Sequence, residues 1–387
     1  MNNAQQLNIT TLLDNNNNVN VNINKNIMLV NNIFNNNVSH KYKINKYLGE
    51  GIQGSLYIAL DKNNNKYICK KINLNSTINP NQEKQLNFEL NLLKYLSSNK
   101  VTREYINPCL EHKIVDNQVF TIFPIFNGFS LNHIKQYLLK MNHKHYYKIL
   151  FHLIKVILHG LAKIHQHNVS HQNINGNSIL VSTYGDSIDN LDRIYSLDNN
   201  IDEIKIKFTD FGLGCGVNNS YINDVFYDIN SCNTTTLPNK MPIKITNSII
   251  KKLSKSYYLS MAQNADIMLL CTIFIQLLLF FENIKLNVSQ EGYDYNNNNN
   301  NEIIKKQLKQ IITEKFLSKI EKYRKNKYKV DDDELLFLNT TNETKRDILE
   351  YLNIFNDYVL CEDKDRQSCQ YILDKLIIYE KYKNEVF

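Results

Sequence analysis

Apolar residues at helical spacing dominate the middle of the chain, where Leu150, Leu153, Ile154, Ile157, Leu158, Leu161 and Ile164 recur every three or four positions within residues 145–168. This is the stripe of a helix that buries a whole face. A second helix is predicted over residues 82–97 from Leu86, Leu90, Leu93 and Leu96. The residues around Tyr42 to Lys70 read differently. Tyr42, Ile44 and Tyr47 alternate with polar neighbours, Leu56, Ile58 and Leu60 do so again, and Tyr67-Ile68-Cys69-Lys70 follows a polar turn at Asp61–Lys66. Period-two alternation broken by turn residues predicts antiparallel strands. The longest apolar stretch, Ile267 to Phe281, is interrupted by Thr272 and Gln276. It falls short of the roughly 20 residues that a bilayer crossing needs, so a buried core helix is expected. Strands first and helices later predict an α+β chain.

Composition changes this picture mainly at the polar interruptions. Asn15–Asn18, Asn35–Asn37 and Asn296–Asn301 are homopolymeric, and such tracts carry no apolar face for a core. Residues 1–40 are therefore expected to be an Asn-rich disordered tail. One domain is expected over 41–380, with a first part at 41–126, a second at 127–380, and polar insertions near 182–204 and 287–302. The 43% hydrophobic content of the 387 residues supports a sizeable core. A net charge of +7 is spread over scattered lysines rather than an aromatic-interleaved basic patch, which speaks against nucleic acid. Seven cysteines, an odd count without a C-x-x-C pair, argue for a reducing compartment and against a disulfide framework or structural zinc. No basic and apolar leader is visible at the start of the sequence, so a cytoplasmic or nuclear protein without a membrane partner is expected.

Candidate chemistry lies in short motifs. Gly49-Glu50-Gly51-Ile52-Gln53-Gly54 is a G-x-G-x-x-G, which by itself fits a dinucleotide site as well as a phosphate-covering hairpin. A dinucleotide site needs a helix opening at the last glycine, whereas Leu56, Ile58 and Leu60 continue as a strand. Lys70 sits on the strand after that, and Lys71 beside it should face the opposite, solvated side. Glu89 lies in the predicted helix, either as an ordinary polar position or as a partner for Lys70. Further on come His171-Gln172-Asn173-Ile174-Asn175-Gly176-Asn177-Ser178-Ile179-Leu180 and Asp210-Phe211-Gly212. The insertion between them holds Asp186, Asp189, Asp192 and Asp198, read as a solvated loop with a cation site as the alternative.

In this order the motifs resemble those of protein kinases, over roughly residues 42–380. The family's catalytic loop reads H-R-D-L-x-x-x-N and is followed by D-F-G. The resemblance implies a bilobal protein-kinase fold, with an antiparallel β N-lobe carrying helix C on a mainly α-helical C-lobe and nucleotide held between them. It implies that Lys70 pairs with Glu89 and the phosphates of ATP, and that Gly49, Gly51 and Gly54 let the backbone approach those phosphates. Leu48, Glu50, Leu56, Ile68, Leu180 and the gatekeeper Phe123 would line the cleft, and Asp210 would hold Mg²⁺. His165 is expected to be structural and Asp266 to brace the catalytic loop.

Three positions depart from the family's pattern. Asn173 stands at the general base, Asn175 at a γ-phosphate contact and Ser178 at the second metal ligand. An amide takes up no proton near neutral pH, and a hydroxyl is a weaker metal ligand than an amide carbonyl. Ile68 replaces a small alanine against the adenine. The resemblance also places the A-P-E element at Tyr258–Ala262 and the D-P-x-x-R element at Glu362–Arg366. The expectation is an inactive Ser/Thr-kinase-like protein, a pseudokinase, serving another protein as scaffold or allosteric partner and binding ATP weakly if at all. Weak Ser/Thr phosphotransfer is the alternative.

Overall fold

Alternating positions of the first part build one five-stranded antiparallel sheet. In the computed structural model, which describes residues 41–51, 54–73, 80–115, 118–138, 143–182, 204–212, 214–216, 219–222, 225–228, 231–232, 255–278, 342–359 and 367–386, its strands are β1 (Lys43–Gly51), β2 (Gly54–Leu60), β3 (Lys66–Asn73), β4 (Glu111–Val115) and β5 (Gln118–Pro124), in the order β1-β2-β3-β5-β4. The Asn-rich tail, nearly all of both polar insertions and Glu362–Arg366 lie outside the described residues. Because side chains alternate across a pleat, the sheet has two apolar faces. Ile44, Tyr57, Ala59, Cys69, Phe120 and Ile122 share one. Leu48, Ile58 and Ile68, with Leu56, Phe123 and Ile125 around them, share the other, which roofs the cleft.

Helix α1 (Pro80–Ser98) follows β3 and uses the leucines that set its period, since Leu86 and Leu90 pack on Val119 of β5 while Leu93 and Leu96 join the main core. The four-residue α2 (Lys100–Arg103) continues it, its first amides capped by the side chain of Asn99. The chain then crosses the domain edge. Phe208 N donates to Tyr105 O at 2.7 Å, and Lys207 Nζ donates to the carbonyls of Arg103 and Ile106 at 3.1 and 2.8 Å. These bonds satisfy backbone that would otherwise form an open sheet edge.

The second part is helical around α4 (His143–Gln166). Before it come β6 (Phe129–Ser130) and α3 (Leu131–Leu138). After it come β7 (Val169–Ser170), β8 (Ile179–Ser182) and β9 (Lys205–Phe208), and then β10 (Cys215–Gly216), β11 (Asn219–Ile222), β12 (Val225–Asp228) and β13 (Ser231–Cys232). β8 and β9 pair antiparallel from Ile179↔Phe208 to Ser182↔Lys205, so the polar insertion is borne by the end of a formed hairpin. Helices α5 (Lys255–Leu278), α6 (Asn342–Tyr358) and α7 (Cys369–Val386) complete the core with α4. Gly160 of α4 permits this packing at its N-lobe side, since a Cβ there would lie 2.8 Å from both Tyr105 and Ile206.

Helix α5 contains the apolar stretch singled out in the sequence. Leu259–Leu278 is long and apolar enough to cross a membrane by length and composition, yet Leu270, Phe274, Ile275 and Leu278 are buried against the other helices. The carbonyls of Leu277 and Leu278 accept hydrogen bonds from Tyr146 Oη and Tyr147 Oη at 2.7 and 3.1 Å. Tyr258–Ala262, where the resemblance places the A-P-E element, lies within α5. No glycine or proline lies between Lys255 and Leu278, so nothing separates those residues from the helix that carries Asp266.

Candidate active site

The loop between β7 and β8 is shaped by a buried carboxylate on α5. Asp266 has no exposed surface and accepts from Ser170 Oγ at 2.7 Å, His171 N at 2.7 Å and Gln172 N at 2.6 Å, while His165 Nε2 lies 3.1 Å away. Burial alone would push its pKa up, but the hydrogen bonds and charge of His165, the charge of His171 and the Ser170 hydroxyl hold it below the usual carboxylate range. His165 thus serves structure, as expected. Gln172, bound in this way, is buried and takes a left-handed backbone at φ 58, a conformation that costs energy outside glycine.

Beyond that anchor the loop folds on its own polar groups. Ser178 Oγ accepts from Asn175 N at 2.9 Å and lies 3.1 and 3.0 Å from the carbonyls of Asn173 and Asn175. Asn175 Oδ1 accepts from Asn177 N, and its Nδ2 donates to Asn173 O. Gly176 is needed for this shape, because a Cβ would come within 2.1 Å of the Asn132 side chain. Ser178 and Asn175, the expected metal and phosphate positions, are therefore engaged with loop backbone.

Asn173 faces the other motif. Its Nδ2 donates to Asp210 Oδ2 at 2.7 Å, on the exposed floor of the cleft. Asp210 takes φ 65, and the turn that this produces sends Phe211 in the opposite direction, fully buried with its ring 4.5 Å from that of His171. His171 Nε2 lies 2.8 Å from Thr209 O. Gly214 then passes so close to α1 that a Cβ would lie 2.6 Å from Leu92.

The roof supplies the remaining groups. Lys70 Nζ is 3.7 Å from Glu89 Oε1, and both are largely buried. Burial raises the Glu89 pKa most, Lys70 lowers it, and Asp210 across the cleft raises it, with a net upward shift. A folded-state pKa above the ordinary 4.5 means that the native state prefers the protonated acid. The associated stability is present below the ordinary value and is lost as pH rises through the native one. Glu89→Gln should therefore lack that part of the pH dependence, and parallel thermal melts of the two proteins from below pH 4.5 upward measure it.

Strand register brings the other cleft positions together. Ile58↔Ile68↔Phe123 and Leu56↔Lys70↔Thr121 are facing triplets across β2, β3 and β5. Ile58 was not singled out among the expected lining residues, although its alternation with Leu56 and Leu60 marks the same face. Leu48 is 2% exposed, Ile58 4% and Ile68 7%, so the roof packs upon itself. Gly51 pairs with Gly54 at the hairpin tip, and Gly54, at φ 152, has no room for a Cβ beside Lys71 O at 2.2 Å. Glu50 is exposed and accepts from Ser55 Oγ at 2.7 Å. Leu180 is half-buried in β8, directly opposite Ser130. Lys71 is not freely solvated: its ammonium lies 6.0 Å from the Phe120 ring centroid, and burial pulls its pKa down.

This donor set fits a nucleotide better than it fits a metal. Lys70 and the glycine hairpin would suit phosphate, whereas no group of three or more His, Cys, Asp or Glu residues suited to a metal occurs among the described residues. Asp210 is the carboxylate that would meet Mg²⁺, which binds through one or two carboxylates together with substrate phosphates. Cysteine usage also differs from expectation. Cys215 is disulfide-bonded, a pairing that an odd count without a C-x-x-C spacing did not suggest.

Fold and site together define a kinase-type cleft, and comparison with known proteins agrees. Residues 42–233 match the family described as Protein kinase domain, which places this part of the chain in the protein kinase superfamily. The probable serine/threonine-protein kinase fhkA of Dictyostelium discoideum is 29% identical over 175 residues, which cover 44% of this chain and 26% of that protein. Myosin-IIIa of Homo sapiens is 25% identical over 150 residues, 38% of this chain and 9% of that protein. Myosin-IIIb of Mus musculus is 23% identical over 147 residues, 37% of this chain and 11% of that protein. The matched stretch is thus about a quarter or less of these relatives' lengths.

Proposed function

We propose that this protein is an inactive member of the serine/threonine-kinase type, a pseudokinase that uses its kinase fold to engage another protein and, at most, a weakly held nucleotide. The observation that carries this reading is the 2.7 Å hydrogen bond from Asn173 Nδ2 to Asp210 Oδ2. A general base has to accept the proton of the attacking hydroxyl. Asn173 instead offers an N–H at that place and directs it at the carboxylate meant for metal. Ser178, with its hydroxyl on the loop carbonyls, adds little to a second metal position.

Mg²⁺, when bound with ATP, would supply Lewis-acid neutralisation of phosphate charge through Asp210. The protein's own contribution is binding and orientation: Lys70, positioned by Glu89, faces the phosphates, and the glycine hairpin covers them. Adenine would have to enter beneath Leu48, Ile58 and Ile68, which already pack together. Overpacking of such a surface costs about 1 to 3 kcal/mol, roughly 5- to 150-fold in affinity. We place the protein in the cytoplasm or nucleus.

A weakly active Ser/Thr kinase is the second reading, favoured by the formed Lys70–Glu89 pair and the outward-facing Asp210. Radiolabelled ATP with generic protein substrates separates the two. The pseudokinase reading expects incorporation equal to that of an Asp210→Ala control, and transfer that Asp210→Ala abolishes would sink it. Nucleotide binding is checked separately by thermal shift with millimolar ATP, with and without Mg²⁺. A small shift is expected from the unaltered protein, none from Lys70→Ala, and a larger one from Ile68→Ala.

A further inference from the structure

We propose that the basic face built by α2, α4 and β9 is a docking surface for an acidic segment of a partner protein, one rich in Asp and Glu. The inference deepens the scaffold reading above and rests on it for the partner being a protein, but it does not require an inert cleft.

Three stretches far apart in the sequence meet on this face. Residues 99–107, 159–167 and 204–208 carry Lys100, Arg103, Lys163, Lys205 and Lys207 against a single carboxylate, Glu104. Contacts between the stretches fix the assembly. Lys207 Nζ donates to Arg103 O and Ile106 O at 3.1 and 2.8 Å, which binds β9 to the end of α2. Lys205, two residues earlier on the strand, lies on the same side. On α4, His159, Lys163 and His167 follow one another at four-residue intervals and so share a face. The His159 ring lies 5.7 Å from that of Tyr105, and Asn99 Nδ2 lies 2.8 Å from His167 Nε2. Lys163, between these two contacts, is thereby held alongside α2.

Carboxylates do not neutralise these cations. Among the described residues, Lys100, Arg103, Lys163 and Lys205 meet no Asp or Glu at ion-pair distance, and Lys163 Nζ reaches the neutral Gln166 at 3.5 Å. Lysine at a sheet edge often serves to block further pairing, and Lys207, bonded to carbonyls, does so. That role does not account for Lys100, Arg103 and Lys205, which are exposed. The charges also act on one another. Burial pulls the Lys207 pKa down most, Arg103 and Lys205 pull it further, and Glu104 opposes them. Like charges held together in this way are relieved by an acidic partner.

The face suits a peptide better than a nucleic acid. Val101, 44% exposed between Lys100 and Arg103, offers contact to an apolar side chain within an acidic segment, and Arg beside Lys is the usual means of gripping acidic motifs. Single-stranded nucleic acid is held by aromatic rings on which bases stack. Tyr105 is half-buried and its ring is committed to an edge contact with His159 at 67°.

At low salt the full chain should bind a dye-labelled peptide of mixed Glu, Asp and Leu, read by fluorescence anisotropy, and should not bind the same peptide with Gln and Asn in place of the acids. Binding should weaken as salt rises. An exposed ion pair is worth up to about fivefold in affinity, so Arg103→Glu with Lys205→Glu should weaken binding roughly tenfold or more. Lys62→Glu with Lys66→Glu, an equal change of charge at exposed positions beside the β2–β3 turn, should leave it near the unaltered value. On the unaltered chain the peptide should also shield Lys100, Lys163 and Lys205 from acetylation and leave Lys62 and Lys66 reactive, a reading that needs no variant to fold. Absence of binding, equal losses in the two charge variants, or acetylation of Lys100, Lys163 and Lys205 that the peptide does not change would overturn the surface. Tighter binding of a single-stranded RNA to the same residues would overturn the assignment of a protein partner. Neither arm reads nucleotide or phosphotransfer, so an active cleft would remove the pseudokinase reading and leave this one standing.

Discussion

Asp266→Ala is expected to destabilise the domain by about 3 to 5 kcal/mol, the usual result of removing one side of a buried charged network. The substitution strips acceptors from two backbone amides and the Ser170 hydroxyl, all buried beside α5, and leaves His165 without its carboxylate. Each buried donor left unsatisfied costs about 1 to 3 kcal/mol. A fall in Tm of roughly 4 to 7 °C follows for a domain of this size. The effect has a pH signature. Because the native pKa of Asp266 lies below the ordinary value of 3.8, its contribution is present above that value and is lost as pH falls through the native one. The gap between the two proteins should therefore be constant from neutral pH to about pH 5 and narrow in stronger acid. Melts across that range measure it, and Asp266→Asn, which keeps volume but cannot accept at both oxygens, should lie between the two.

The largest gain is expected from Asn173→Asp combined with Ser178→Asn. A general base contributes about 10²- to 10⁴-fold in rate, and base and metal ligand act as a unit, so the double variant should exceed the sum of the singles. The geometry adds a condition. Asn173 Nδ2 and Asp210 Oδ2 lie 2.7 Å apart, and an aspartate at 173 sets two carboxylates against each other where an amide now donates. Like charges this close raise one pKa strongly unless a cation lies between them. Asn173→Asp alone should thus melt lower than the unaltered protein without divalent cation and recover on adding Mg²⁺, a response the unaltered chain should lack. Phosphotransfer by the double variant is then measured with Mg²⁺ present, against Asp210→Ala. A double variant as silent as that control would place the remaining defect at Asn175 or in the packed roof.

Much of the fold was legible because local signals agreed with one another. The alternation at Tyr42 to Lys70 and the leucine periods at 82–97 and 145–168 became β1 to β3, α1 and α4 within a few residues. Lys70 and Glu89 could be paired because motifs on either side set their register. What escaped were relations between residues far apart in the chain. The contact of Asn173 with Asp210 spans 37 positions and depends on the left-handed turn at Asp210, which no residue type there announces. Ser178 could be read as a substituted ligand, but its commitment to the loop carbonyls follows from side-chain direction alone.

Asp266 grips the loop at Ser170 through a hydroxyl, but at His171 and Gln172 through main-chain nitrogen. Every residue except proline offers such a nitrogen, so the grip at 171 and 172 does not depend on which side chain follows. The loop's path is thereby separated from its reactivity, and the residues facing the cleft can be exchanged while the scaffold that presents them stays in place. A kinase ancestor losing its base at 173 would not have had to lose its shape, and an engineer installing new groups at 173, 175 or 178 inherits a platform already built.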